Sequence, residues 1–405
     1  MAFYMKKHTQ TIYLDHNATT PVRPEVLREM LPYLEGEYGN ASSLHSLGRR
    51  ARSTIEEARA KVAALIGPCE PVDIVFTSGG TESDNFALKG AAYALRSKGK
   101  HIVTGSTEHM AVLGPCKFLA QEGYEVTYVP VDEYGVLDLS ALKDAVRDDT
   151  ILVSVMSANN ETGTIQPIEE ISKIAHAKKA LFHTDAVQAV GRFPVNAEKM
   201  GIDLLSMSSH KIYGPKGVGA LYISKKAKLT PFINGGHHER NRRAGTENVP
   251  GIAGFGKACE LAARDMDAES KRLTDLRERL WRGINKNVAD VKLNGHPDRR
   301  LPNTLNVSFK YVEGESILLN LDLKGIAASS GSACTSGSLE PSHVLKAMGV
   351  DAAVSQGSVR FSLGRVNTKE DIDVVIKEIP PIIGKLRDMS PLYDDMRREV
   401  GNGRI

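Results

Sequence analysis

Short apolar runs recur along the first two thirds of the chain with helical segments between them. HIVTG (101–105), YEVTYVPV (124–131), TILVSVMSA (150–158), ALFHTDA (180–186), IDLLSMSS (202–209) and VGALYIS (218–224) alternate with stretches such as LSALKDAV and PIEEISKIAHAKKA. Runs of this length suit strands buried on both faces, and helical crossovers between such strands predict a largely parallel sheet covered on both sides. The fold class is α/β. Pro167 is expected as the first residue of its helix, where a missing N–H does no harm. After about Gly256 the rhythm changes. A charged helical stretch, 258–286, leads into NTLNVSFK, GESILLNLDLKG and SVRFSLG, which predicts a smaller α+β domain.

Bulk properties exclude several classes. A formal net charge of +3 over 405 residues gives no support to a nucleic-acid binder, and the run Arg240 to Arg243 reads as a solvated loop. The four cysteines, Cys69, Cys116, Cys259 and Cys334, have no CxxC pairing, which fits a reduced intracellular protein. MAFYMKKHTQ lacks the apolar core of a signal peptide, and no apolar run approaches the roughly 20 residues of a membrane helix. The expectation is a soluble, cytoplasmic protein without membrane or nucleic-acid partners.

The polar residues that follow predicted strands are the ones that can carry chemistry, because ligands of α/β sheets gather at the strands' carboxyl ends. VFTSGGTESDN (75–85) is a strand, a Gly79-Gly80-Thr81 turn and a helix start. It suits either a phosphate seat or an ordinary turn capped by Thr81. FHTDAVQ supplies Asp185 and Gln188; the carboxylate could hold a protonated ring nitrogen or cap a helix. SMSSHKIYGPKG carries Ser208, His210 and Lys211, a strand-end lysine placed to form a Schiff base. Ser208 to Lys211 also matches the SxxK of penicillin-binding enzymes, but Gly214-Pro215 opposes the helix that motif needs, and its partner motifs are missing. No His/Cys spacing matches a zinc site. A phosphate seat, a strand-end acid and a strand-end lysine together form the kit for pyridoxal phosphate.

In order along the chain stand YLDHNATTP, GNASSLHSLGRRAR, SGGTESDN, TEHMAV, ANNETGTIQP, HTDAVQ, SSHKIYGPKG, RAGTENV, SSGSACTSGSLEPSHVL and RFSLGR. This series resembles the NifS/IscS-type cysteine desulfurases, class-V aminotransferase relatives with the fold-type I architecture, and the C-terminal part looks closer to NifS. The resemblance implies a large domain, 16–261, with a mostly parallel seven-stranded sheet. It implies a small C-terminal domain, 262–405, joined by the N-terminal segment 1–15. It implies pyridoxal 5'-phosphate as cofactor and L-cysteine as substrate. Lys211 would hold the cofactor, Asp185 would pair with its ring nitrogen, and Gln188 would bond its phenolic oxygen. His109 would stack on the ring and assist proton transfer. Gly80, Thr81, Ser208 and His210 would bind the phosphate, with Thr246 reaching the other subunit of a homodimer. Asn160, also beside the cofactor, and Arg360 would hold the substrate carboxylate.

Cys334 would be the nucleophile that takes the sulfur. The stretch around it, AASSGSACTSGSLEPSH (327–343), offers nothing large enough to anchor a core. A Ser/Gly-rich tether of about 328–340 is expected to be mobile and to let the thiol travel. Sulfur would then pass as a persulfide to an iron–sulfur scaffold protein of the NifU/IscU type. The one metal contact this leaves is a transient iron–sulfur ligation by Cys334. The other family loop, an RxGHHC-like block found in selenocysteine lyases, is absent here. The alternatives are a selenocysteine lyase or aminotransferase-type enzyme that does not use Cys334, and a non-catalytic sulfur carrier.

Overall fold

A computed structural model describes residues 11–330, 341–391 and 393–394. Its strands are β1 (Ile12–Tyr13), β2 (Ile74–Thr77), β3 (His101–Gly105), β4 (Glu125–Val129), β5 (Thr150–Ser154), β6 (Leu181–Asp185), β7 (Leu204–Ser208), β8 (Gly219–Ile223), β9 (Val291–Asn294), β10 (Thr304–Phe309), β11 (Ile326–Ala327) and β12 (Ser358–Ser362). Seven form one sheet in the order β2-β8-β7-β6-β5-β3-β4. Only β8 runs against its neighbours; the rest are parallel. The sheet is therefore the mostly parallel one expected, with every predicted run supplying a strand.

Alternation along each strand feeds two cores. Val103, Phe182, Leu205 and Tyr222 pack on one face; Ile102, Leu204, Leu221 and Ile223 pack on the other. Helix Gly80–Ala94 covers the second face, and helix Ser46–Leu65 contributes Ile55 and Val62 to the first. A third core gathers around the antiparallel sheet β12-β10-β9 with helix Lys369–Asp388. β1 pairs in parallel with β11 and Asp15 bridges Ser362 of β12, so residues 12–15 lie beside this smaller sheet.

Two local expectations differ. Pro167 stands just outside helix Ile168–Ala177, because its carbonyl accepts the first helical bond, from Ile171 N at 3.1 Å. The long helix runs Val249–Asn287, starting nine residues before the expected 258. Its early glycines read as loop in the sequence, but they permit close packing: a Cβ on Gly256 would sit 2.7 Å from Ala58 Cα on helix Ser46–Leu65. The Asn248 side chain caps the helix by accepting from Gly251 N. The helix enters the first core with Ile252, Phe255 and Leu261 and the third with Leu273, Leu280 and Ile284. The expected division at 261/262 thus falls inside one continuous helix. No helix among the described residues is long and apolar enough to cross a membrane.

Candidate active site

The carboxyl ends of β2, β3, β5, β6 and β7 open onto one cleft, with a cavity of about 240 Å³. Its walls include Gly80, Thr81, His109, Asn160, Asp185, Gln188, Ser208, His210, Lys211 and Arg360. Ten of the twelve residues singled out in the sequence therefore meet in one place. Thr246 is exposed and lies outside these walls. Cys334, with 331–340 of the expected loop, lies outside the described residues. The flanks of that segment are placed. Ser329 exchanges two backbone hydrogen bonds with Arg360, and Ser342 Oγ donates to Glu161 Oε2 at 2.6 Å.

Lys211 follows β7 in a single 3-10 turn, Ser209–Lys211. Its Nζ donates to the carbonyls of Asn17 and, at 2.9 Å, Ala18. Burial, with the Arg360 charge adding to it, pushes the amine down to about 8 from its usual 10.5. A neutral amine, the nucleophilic form, is thus accessible near neutrality. Asn17 is the hub that sequence reasoning missed. Its carbonyl also accepts from Gln188 Nε2 at 3.0 Å. Its side chain donates to Asn160 O and Thr304 Oγ1 at 3.1 and 2.8 Å, and accepts from Asn303 Nδ2 at 2.9 Å. The block YLDHNATTP was the available signal, but nothing in it marks a backbone carbonyl as functional.

Asp185 ends β6, where Val187 N donates to its Oδ1 at 2.9 Å. Burial raises its pKa, opposed first by His109 and also by Lys211. Behind it Asp84 is buried, with Oδ1 lacking a hydrogen-bond partner, and burial and the nearby Asp185 charge push its pKa well above the usual carboxylate range. His109 caps helix Met110–Gln121, its Nδ1 accepting from Ala111 N at 3.1 Å. Burial lowers its pKa, and with Nδ1 accepting from Ala111 N the neutral form of the ring has its proton on Nε2. His210 is held neutral as well, burial and Lys211 pushing it down to about 4.

Arg360, on β12, reaches the cleft from the smaller sheet. Arg365, the second arginine of RFSLGR, is instead a surface group paired with Asp265 at 2.9 Å. The remaining described cysteines are unreactive by environment. Burial pushes the Cys69 thiol up to about 11 and Cys116 up to about 12, and raises Cys259 further. No group of three or more His, Cys, Asp or Glu among the described residues is arranged to hold a metal ion.

The aminotransferase class-V family pattern matches residues 12–375. A cysteine desulfurase IscS of Dictyoglomus turgidum is 57% identical over 95% of this chain and 98% of its own length. The chain belongs to the class-V aminotransferase family, among the cysteine desulfurases. Another relative, a cysteine desulfurase IscS of Methanosarcina thermophila, is 55% identical over 95% of this chain and 94% of its own. A solved NifS-like protein superposes with a TM-score of 0.88 at 41% identity, covering 93% of this chain and 100% of that one. As an enzyme of this family, the desulfurase uses pyridoxal 5'-phosphate.

The cleft fits that cofactor. Helix Gly80–Ala94 starts with Gly79 at φ +152° and no side-chain cap, which leaves first-turn N–H groups for an anion. Thr81, expected as a possible cap, lies within that first turn instead. A Cβ on Gly80 would come within 2.8 Å of Val187 Cγ2, so only glycine passes there. Gln188 Oε1 is buried without a partner, an orphan that a ring hydroxyl would satisfy. A protonated ring nitrogen would add a direct countercharge to buried Asp185.

Proposed function

We propose that this cysteine desulfurase removes the sulfur of L-cysteine, forming L-alanine and a Cys334 persulfide, with Lys211, Asp185, His109, Asn160, Arg360 and Cys334 in the roles set out above. The observation that carries the reading is the convergence of Lys211 Nζ, the Asp185 carboxyl and the Arg360 guanidinium on one cleft. Bound pyridoxal phosphate supplies an electron sink for the substrate's Cα. Lys211, its amine near neutrality, holds the cofactor and then removes and returns the Cα proton. The Arg360 fork and Asn160 orient the substrate carboxylate. His109 Nε2 offers or accepts a proton over the cleft. The Cys334 thiolate attacks the substrate sulfur: the carbon–sulfur bond breaks, a sulfur–sulfur bond forms, and the substrate carbon gains a proton. Cys334 is five residues beyond Ser329 (334 − 329), a reach of at most about 17 Å of extended chain from the cleft's rim.

The acceptor in this reading is an iron–sulfur scaffold protein of the NifU/IscU type, and the enzyme works in the cytoplasm as a homodimer. Thr246, exposed on its own protomer, serves the partner's phosphate seat. The separate cores support a large 16–261 domain and a small 262–405 domain joined by the N-terminal segment 1–15.

Cys334→Ala tests the central step. It should keep its cofactor colour and bind L-cysteine, yet release no sulfide under reductant. The native enzyme without reductant should carry about one extra sulfur atom on the Cys334 peptide by mass spectrometry, as one nucleophile requires. Native rates of sulfide release from the variant would leave the selenocysteine-lyase or aminotransferase-type reading in its place. Mixed dimers of Lys211→Ala and Thr246→Ala protomers should recover activity through one intact site. No recovery would remove the shared-site reading.

A further inference from the structure

Arg360 already holds a carboxylate. Its Nη2 donates to Asp15 Oδ1 at 2.7 Å and its Nη1 to Asn160 O at 3.0 Å, while Nε is buried without a hydrogen-bond partner. The guanidinium is almost fully enclosed and the Asp15 side chain is 20% exposed. Asp15 is fixed by its backbone. Its carbonyl accepts from Tyr13 Oη at 3.0 Å and from Ala18 N at 3.1 Å, and the next residue, His16, donates its N–H to Ser362 O at 3.1 Å. The carboxylate therefore stands against Arg360 on a hydrogen-bonded turn, two residues before the carbonyl that holds Lys211.

We propose that Asp15 is an affinity-setting residue of the substrate site, a built-in carboxylate that occupies Arg360 in the resting site and that the α-carboxylate of a bound amino acid must share or displace. The proposal rests on the reading of Arg360 as the carboxylate-holding residue. An arriving carboxylate meets a guanidinium whose charge is already answered. Affinity for every small amino acid is held down, and L-alanine leaves readily as product. Asn160 O, on the opposite terminal nitrogen, keeps the fork in place while the exchange happens.

Asp15→Asn in the holoenzyme removes the competing charge and preserves the shape. KM for L-cysteine, and the Kd of L-alanine read from the bound cofactor's visible spectrum, should both fall about tenfold, the size of one charge-assisted hydrogen bond. Asp15→Glu, which returns a carboxylate, should move both values back toward native. Asp15→Ser gives the same expectation as the asparagine variant should that one fold poorly. Unchanged or raised KM and Kd in variants with native melting temperature and cofactor content would overturn the proposal. Arg360→Ala separates the two readings. If it leaves L-alanine binding at the native value, the assignment of Arg360 fails. If it weakens binding while Asp15→Asn and Asp15→Ser do not tighten it, Arg360 keeps its role and Asp15 loses the one proposed.

Discussion

Two buried charge networks border the large sheet, and they are finished differently. At the β2 edge, Arg59 meets Glu239 through two hydrogen bonds of 2.6 and 2.8 Å. Arg59 Nη1 also donates to Ile74 O, and Phe76 N donates to Glu239 Oε2, so the pair also satisfies the open edge of β2. In the cleft, Asp84 Oδ1, Gln188 Oε1 and Arg360 Nε are buried with no hydrogen-bond partner. Buried polar groups left incomplete are costly, and a chain keeps them where something else completes them. The first network is a pin. It holds Glu239, Arg240 and Asn241 at φ values of 45°, 55° and 64°, a left-handed turn that would otherwise cost about 1–3 kcal/mol per residue. The second is a socket.

The contrast can be broken most sharply at Lys211. Lys211→Ala should lower turnover by at least about 10³-fold, since in the proposed reading it removes both the covalent anchor and the Cα base. Its cofactor-free stability at pH 7 should be no lower than native. A lysine pushed down to about 8 when folded destabilises the fold as pH falls from about 10.5 to 8 and does so in full below 8, so losing it removes a penalty. Comparable turnover, or a large loss of stability, would make Lys211 part of a pin. The opposite pattern is expected of Glu239→Ala. Leaving buried Arg59 with only the half-exposed Glu56, at 3.3 Å, as its charge partner should cost about 3 kcal/mol in urea unfolding, with KM of the folded fraction near native. Asn17→Ala lies between. It deletes side-chain bonds to Thr304, Asn160 and Asn303 while leaving the carbonyl that holds Lys211. A loss of about 1–3 kcal/mol with a smaller fall in kcat is expected, read by thermal unfolding and steady-state kinetics. The smallest effect is one of pH. The rate at which cofactor-free protein takes up pyridoxal phosphate should rise as pH passes through about 8, because the neutral Lys211 amine is the reactive form. A midpoint near 10.5 would mean that burial does not act on Lys211 as described.

Much of this arrangement was legible in the sequence. Strand ends can be read from short apolar runs, so Asp185, Ser208 and Lys211 could be placed at the edge of a sheet before any coordinates. RFSLGR holds two arginines and gives no sign of where β12 stops, so the choice of Arg360 rested on the resemblance alone; the strand ends at Ser362, and Arg365 turns out to Asp265. Asn17 acts largely through a carbonyl that every residue possesses, and Asp15 through a partner 345 positions away. Neither distance nor main-chain chemistry leaves a local trace. The early half of the long helix was hidden by glycines whose purpose, contact with a neighbouring helix, belongs to packing rather than to propensity.

That helix has a mechanical consequence. At 39 residues it is a rod about 58 Å long, one end rooted beneath the sheet that carries Lys211 and the other beneath the sheet that carries Arg360. A flexible linker between the two would let the gap between amine and guanidinium drift with every fluctuation. A rod resists bending, and it adds to the direct hydrogen bonds between the two bodies, such as Asn306 Nδ2 to Glu161 O. The gap between amine and guanidinium is therefore set like the jaw of a gauge, partly by the stiffness of a member that lies outside the gap.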